Sequence, residues 1–401
     1  MKWTTKHLAD VADFYLGKML DEMKNKGESL PYLANINVRW GDFDLDNLRK
    51  MRFENDEMDR YGLKHGDIVM CEGGEPGRCA IWKDSMPGMM IQKALHRIRP
   101  HDCLDHRFLF YSLLHKGKLG GFTPLLTGAT IKHLPREKLA KVEISFPKLE
   151  LQCHIADTLS AYDDLIENNR RRMALLEEAA RQLYREWFVR LRFPGYEHIR
   201  ITDGVPEGWE WKRIGDIADC VGGGTPSTSV SAYWEDGNIT WVTPTDVTRN
   251  KHLVLLDSEK KITEVGLKAS SAKLVPAHAI LMTSRASVGF FAITGREVCT
   301  NQGFISIVPQ DPTLSSYLLF HMSERVEEIR SMGSGSTYPE VSRGKFREFE
   351  VLIPKHPLIS AFNEQIIEII KQIKILKQLN ERLRAARDLL LPRLMSGEIA
   401  V

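Results

Sequence analysis

The string His7-Leu8-Ala9-Asp10-Val11-Ala12-Asp13 returns later in the chain as Arg213-Ile214-Gly215-Asp216-Ile217-Ala218-Asp219. At the same offset Trp3 falls on Trp209. Working outward, Pro31-Tyr32-Leu33 leading to Asn35-Ile36-Asn37-Val38 matches Thr240-Trp241-Val242 leading to Pro244-Thr245-Asp246-Val247. Gly66-Asp67-Ile68-Val69-Met70 then matches His278-Ala279-Ile280-Leu281-Met282. Each is followed by a turn of small residues, Gly73-Gly74-Glu75-Pro76-Gly77 in one copy and Ser284-Arg285-Ala286-Ser287-Val288-Gly289 in the other. Gln92 and Gln302 follow, then Gly128-Ala129-Thr130 and Gly335-Ser336-Thr337. Phe146-Pro147 and Ile353-Pro354 finally lead each copy into a long helical stretch. The offset drifts only as loop insertions would make it drift. Such a period, about half the chain, is a duplication and too long for a solenoid. Two unrelated domains alike by chance would not give so ordered a series.

The first part of each repeat is β-rich, with short apolar runs at Asp67–Met70, Cys79–Trp82, Ile280–Thr283 and Phe290–Ile293 punctuated by Gly, Pro and Ser. Helices are expected there only near Asp105–Leu114 and Leu314–Ile329. The second part follows a different pattern. Leu159, Tyr162, Ile166, Asn169, Met173, Leu176, Ala180, Leu183 and Trp187 recur by threes and fours, as do Ile359, Phe362, Ile366, Ile369, Ile373, Leu376, Asn380 and Leu383, with Leu390 beyond. That is a heptad seam broken once per helix by asparagine. So narrow a seam wants one partner helix, and the other repeat supplies it in an antiparallel intramolecular coiled coil. The competing arrangement packs each helix on its own domain. Asn169 and Asn380 read as register devices. The expected fold is therefore α/β (α+β), with two duplicated β-rich domains separated by a long antiparallel two-helix coiled coil about a pseudo-two-fold axis. The boundaries fall at 1–150 (first domain), 151–200 (central helix and linker), 201–356 (second domain) and 357–401 (C-terminal helix).

The chain has 401 residues, 55 Lys and Arg against 53 Asp and Glu, and a formal charge of +2. That balance excludes a histone-like polycation but permits local basic patches. No apolar run approaches the ~20 residues a membrane span needs, and MKWTTKHLAD has no signal-peptide stretch. The six cysteines form no Cys-x-x-Cys pair. These features place the chain in the reducing cytoplasm. Signals for catalysis are missing too: no P-loop, no methyltransferase Asn/Asp-Pro-Pro-Tyr/Phe segment, no His-Glu-x-x-His and no Gly-x-Ser-x-Gly. Asp257-Ser258-Glu259-Lys260 has nuclease-like residue types, but such strings are common on solvated surfaces. No catalytic and no metal-binding residues are assigned.

Polar loops at equivalent places in both repeats remain. The first copy carries Asn35, Asn37, Arg39, Trp40, Glu72, Arg78, Gln92, Lys93, Thr130 and Lys132. The second carries Thr225, Ser227, Thr243, Thr245, Asp246, Ser284, Arg285, Ser287, Asn301, Gln302, Ser336, Thr337 and Tyr338. Arg, Asn, Gln, Ser and Thr are the types that read base edges in a major groove. Two alike readers on a rigid spacer suit a bipartite target. Arg78 and Arg285, on equivalent turns, are expected at a DNA surface. Basic helix faces such as Arg170–Arg172 and Lys371, Lys374 and Lys377 could meet phosphates or an acidic partner, or simply be solvated.

Several stretches together resemble the specificity subunits of type I restriction-modification systems, over essentially the whole chain. They are Gly208-Trp209 through Gly223-Gly224-Thr225-Pro226-Ser227-Thr228, Tyr233-Trp234, Trp241-Val242, Cys71-Glu72-Gly73-Gly74-Glu75-Pro76-Gly77-Arg78, Tyr184-Arg185-Glu186-Trp187-Phe188, Phe193-Pro194-Gly195-Tyr196-Glu197 and Leu391-Pro392-Arg393-Leu394-Met395-Ser396-Gly397-Glu398-Ile399. The first repeat departs from the pattern in having neither a leading Gly-Trp turn nor a glycine-rich loop after Asp13, which leaves the shape of its first loop open. The resemblance implies two target recognition domains, each reading one half of an asymmetric, interrupted site in double-stranded DNA. It implies helices that set the gap and dock two adenine-methyltransferase subunits, at Arg185, Trp187, Phe188, Leu391, Arg393 and Leu394, with restriction subunits joining in phage defence. S-adenosylmethionine, ATP and magnesium would belong to those partners, and the chain itself would be non-catalytic. The alternative is a duplicated protein-binding scaffold that has lost DNA recognition.

Overall fold

Thr4–His7 pairs antiparallel with Glu143–Phe146, and Glu210–Arg213 pairs in the same way with Glu350–Ile353. In each case the strand that opens a repeat is clasped by the strand that closes it. The computed structural model describes residues 3–250, 252–333 and 339–399. The chain divides into two compact units, one of Met1–Ile166 with Arg382–Val401 and one of Glu167–Glu381. Both are mixed α/β domains. Among the described residues no helix is long and apolar enough to cross a membrane, and no cluster of His, Cys, Asp or Glu is arranged to hold a metal ion.

In the first unit the main sheet runs in the order Ala12–Leu16, Leu95–Pro100, Ile68–Cys71, Cys79–Ile81, all antiparallel. A smaller sheet joins Arg49–Phe53, Glu28–Leu33 and Met90–Ile91, the last pair parallel. The central strand Ile68–Cys71 is buried throughout, which explains why it reads as a continuous apolar run, whereas its equally buried neighbour Leu95–Ile98 carries His96 and Arg97 inward. Helix His106–Lys118 covers the sheet. Asp105 caps it by accepting from Arg107 N (2.8 Å) and Phe108 N (3.1 Å), and His115, Lys116 and Lys118 fill its last turn, complementing the helix dipole at both ends. Leu391 and Leu394 from the end of the chain pack in this unit's core with Leu8, Phe108 and Leu159.

The second unit repeats the plan. Its main sheet runs Ala218–Gly222, Phe304–Pro309, Ile280–Thr283, Phe291–Thr294, then gains Val254–Leu255 as a parallel edge. Its small sheet joins Lys260–Ile262, Ile239–Val242 and Cys299–Thr300, again with one parallel pair. Instead of one helix over 314–329 there are two, Leu314–Glu324 and Val326–Ser331, broken at Arg325.

The long helices are Leu149–Tyr184 and His356–Met395. No residue of either heptad seam is exposed. Within the second unit the helices run antiparallel. Asn169 Nδ2 donates to Asn380 Oδ1 at 2.8 Å, and further along Tyr184 meets the Phe362 ring edge-on. The two asparagines, both nearly fully buried, thus satisfy each other across the seam, as a register device requires. The same helices also carry their domain. Buried Glu177 accepts from Leu253 N (2.8 Å) and lies 3.2 Å from His252 Nδ1, while Lys377 donates to Asn250 Oδ1 and Val254 O, both at 2.9 Å. Helix–helix and helix–domain packing therefore coexist rather than compete. In the first unit Asp163 accepts from Tyr111 OH (2.6 Å) and from Arg387 Nη1.

Candidate nucleic-acid interface

In the first unit the expected residues fall on a turn after Glu28–Leu33 and on the loops beside Ile68–Cys71. Arg78 Nη2 donates to Asn35 O at 2.8 Å and its Nη1 to Glu75 Oε2 at 2.6 Å. Trp40 Nε1 donates to the other Glu75 oxygen at 2.7 Å. Asn35, Trp40 and Arg78 therefore gather around Glu75, a residue the sequence reading did not single out although it stands three before Arg78. Glu72 is adjacent, its N–H bonded to Ala94 O and its carbonyl to Leu134 N, both at 2.8 Å. Gln92 and Lys93 lead into Ala94 at the same place. Exposed Thr130 and Lys132 sit in the hairpin closed by Thr127 and His133, which bridges back to Gly73. Asn37 and Arg39 are occupied within their own loop. Asn37 holds Ala34 N and Asp44 O, both at 3.0 Å, and Arg39 bonds Asp44 at 3.2 Å.

Arg78 itself departs from expectation. Its side chain is only 17% exposed, both terminal nitrogens are engaged, and its buried Nε has no partner among the described residues. It clamps the Cys71–Arg78 turn onto the Asn35 turn rather than facing outward. Arg78→Ala should therefore cost the first unit about 1–3 kcal/mol through the charge-assisted hydrogen bond lost at the Asn35 carbonyl, half-exposed Glu75 keeping Trp40 Nε1 and solvent. Urea denaturation measures this, and a change within 0.5 kcal/mol, as for an ordinary surface residue, would contradict the clamp.

In the second unit a cavity of about 400 Å³ gathers Ser284, Arg285 and Gln302 with Gly222, Gly223 and Arg343. Thr225 Oγ1 donates to Gln302 Oε1 at 2.5 Å, and Asn301 Oδ1 accepts from Gly303 N at 2.9 Å, so the glycine-rich loop and the Asn301-Gln302 turn form one surface. A side chain at Gly223 could not be accommodated, because its Cβ would stand 2.1 Å from Asn301 O. Arg285 Nε donates to Glu340 Oε1 at 2.8 Å, and Arg285 is 49% exposed. Exposed Ser227 and Ser287 flank this surface. Three expected residues are placed differently. Thr243 and Asp246 are spent capping the helix Pro244–Arg249, with Thr243 Oγ1 2.6 Å and Thr243 N 2.8 Å from Asp246 Oδ2, and Ser284 is buried. Thr245, on the same helix, is exposed. Ser336, Thr337 and Tyr338 lie outside the described residues. Glu340 and Arg343 were missed. The 55-residue separation of Glu340 from Arg285 carries no sequence signal.

Of the expected docking residues, Phe188, Leu391 and Leu394 are corrected. Their side chains are buried in the cores of their own units rather than set out on the helix surface. Phe188 lies in a π-helical turn, Arg185–Val189, which ends the first long helix and turns its ring onto Tyr317 and Phe362. Trp187 is half-buried against Phe362. Arg185 and Arg393 are exposed, each paired at 2.8 Å with a glutamate, Glu324 and Glu398.

Comparison with known proteins bears on both units. Over 406 residues the chain is 22% identical to the HindI type I restriction enzyme specificity subunit of Haemophilus influenzae, covering 85% of this chain and 88% of that one. A local match of 184 residues is 35% identical to the MjaIX specificity subunit of Methanocaldococcus jannaschii, and spans 44% of this chain but only 42% of that relative. The crystal structure of a type I restriction-modification S subunit from M. genitalium superposes with a TM-score of 0.58 at 17% identity, covering 98% of this chain and 96% of that one. That likeness concerns the fold. The family model for the type I restriction modification DNA specificity domain matches twice, at residues 1–178 and 206–386. Each match takes in the strand-rich part and most of the long helix of one copy of the repeat, and on that ground the chain belongs to the family of type I restriction-modification specificity proteins.

Proposed function

We propose that the chain is the DNA-specificity subunit of a type I restriction-modification complex and works in the cytoplasm. Each unit reads one half of a bipartite, asymmetric site in double-stranded DNA. The long helices dock two adenine-methyltransferase subunits, through which restriction subunits join. S-adenosylmethionine, ATP and magnesium act on those partners, and this chain contributes no catalytic group. Flipping of the target adenine by a methyltransferase requires duplex held on either side of it, which two readers supply. The observation that carries this reading is the paired family match, one to each unit, over two domains with the same strand plan. Backbone contacts would position the complex and base contacts would specify the site.

The test is a domain exchange. Residues 1–150 are replaced by the matching part of a relative, the chain is assembled with its methyltransferase, and methylated adenines are mapped genome-wide. One half-site should change while the other stays as it was. If both change, or neither does, the modular reading is wrong. A protein-binding scaffold would show no sequence-selective, salt-dependent DNA binding at all.

A further inference from the structure

Arg78 and Arg285 stand on equivalent turns, yet their guanidinium groups are wired in opposite ways. In Arg78 the two terminal nitrogens are consumed, by Asn35 O and Glu75, and the Nε is left over. In Arg285 the Nε is consumed by Glu340, and among the described residues neither terminal nitrogen has a protein partner. The difference decides what each can recognise. An arginine reads guanine by directing its planar fork of two N–H donors at O6 and N7 in the major groove. A fork already closed on protein oxygens cannot do so. A fork whose remaining nitrogen is pinned by a carboxylate is held in one plane, which lowers the entropy lost when it engages a base.

We propose that Arg285 reads a guanine in the half-site of the second unit, and that Glu340 is the positioning residue that fixes its guanidinium plane. This rests on the DNA-specificity reading above. The surroundings suit the task. Glu340 is held to the reading turn by backbone as well as side chain, since residues 285 and 340 form a β-bridge, Val341 N donates to Ser284 O at 3.0 Å, and Ala286 N donates to Pro339 O at 3.1 Å. Beside the pair, the bare backbone of Gly222 leaves room for the Arg343 guanidinium, which lines the cavity together with Gln302. In the first unit Arg78 is excluded as a guanine reader, so the two units do not read with the same residue.

The experiment uses the full chain assembled with its methyltransferase, on DNA carrying the mapped site. Wild type should discriminate against loss of one G·C pair in the second half-site by about 5- to 150-fold. Arg285→Ala should abolish discrimination at that pair alone. Glu340→Ala should relax the same pair, and Glu340→Gln, whose amide oxygen still accepts from Nε, should restore it. Substituting 7-deazaguanine at that position removes N7 and should weaken binding by wild type but not by Arg285→Ala. Arg78→Ala should relax no G·C pair. Thermal melting of the Glu340 variants, whose pair is half-exposed, should match wild type, which separates aiming from folding. An equal loss on every sequence for Arg285→Ala would make it a phosphate contact and overturn the proposal. So would unchanged selectivity in Glu340→Ala, or a second half-site without a G·C pair. A wild-type complex with no sequence selectivity would instead overturn the DNA-specificity reading itself.

Discussion

Replacing Phe362 by alanine should lower the stability of the second unit by about 3–5 kcal/mol. The ring is completely buried at the hub of an aromatic cluster. Phe188 meets it edge-on at 4.9 Å with an interplanar angle of 88°, and Trp187, Tyr184 and Phe320 stand at 6.0, 6.2 and 6.2 Å. Truncation removes the transfer free energy of a large side chain and leaves a cavity whose walls come from both long helices and from Leu314–Glu324, so no single element can move in to fill it. Phe362→Leu keeps most of the volume and loses only the ring geometry, and should cost less than about 1.5 kcal/mol. The check is a denaturant series followed through Trp187 and Trp209, which border the cluster. A loss below 1 kcal/mol for the alanine variant would show that the cluster collapses freely and does not hold the helices.

Acid should destabilise the same region through His321. This side chain is buried between Tyr184, whose hydroxyl is 3.0 Å from Nδ1, and Tyr317, at 3.2 Å. Its Nε2 lies 3.2 Å from Arg325 Nη1, with Glu328 beyond. Arginine only donates, so Nε2 must accept and the proton of the neutral ring resides on Nδ1. A second proton would set two donors, His321 Nε2 and Arg325 Nη1, against each other. Burial first, and the Arg325 guanidinium second, pull the imidazole down from its ordinary 6.5 to about 4. Between those two values the unfolded chain binds a proton that the folded chain refuses. Stability is therefore fully present above about pH 6.5 and falls as pH drops toward 4, by about 1.4 kcal/mol per unit and about 3 kcal/mol in all. His321→Gln should remove that part of the slope. Urea melts of both proteins at pH 7.5 and 4.5 decide it, and equal slopes would dismiss His321 as the source.

Much of this architecture was legible in residue order, and the parts that were not have identifiable physical causes. Repetition of short strings survived because strands and turns impose local chemistry. Ile280–Thr283 is a strand over those very residues, and the other apolar runs are shifted by a residue or so. The heptad seams were readable because a helix has one period. Direction of burial at the helix ends was not, since Phe188, Leu391 and Leu394 lie where a π turn or the core of the domain beside the helix, rather than the seam, decides which way a side chain faces. For the interface, residue type showed which loops are polar but not how each group is spent. Thr243 and Asp246 form a capping box, a pattern with its own sequence signature, and it competes with base reading for the same oxygens. The contrast between Arg78 and Arg285 depends on which nitrogen a glutamate captures, and no spacing rule encodes that.

The first unit is discontinuous, with residues 1–166 completed by residues from 382 onward and Leu391 and Leu394 inside its core. During synthesis this reverses the usual order in which domains mature. At the common pace of ~5–20 residues per second, the ribosome takes roughly ten to fifty seconds to pass from the end of the first segment to the leucines that close it. The whole of the second unit, one continuous stretch of chain ending at Glu381, is translated within that interval. Until then Leu8, Phe108 and Leu159 have an unfinished apolar surface, which chaperones are suited to shelter. The earlier-translated unit is thus the later one to be finished, and a nascent chain arrested before Leu391 would leave it open.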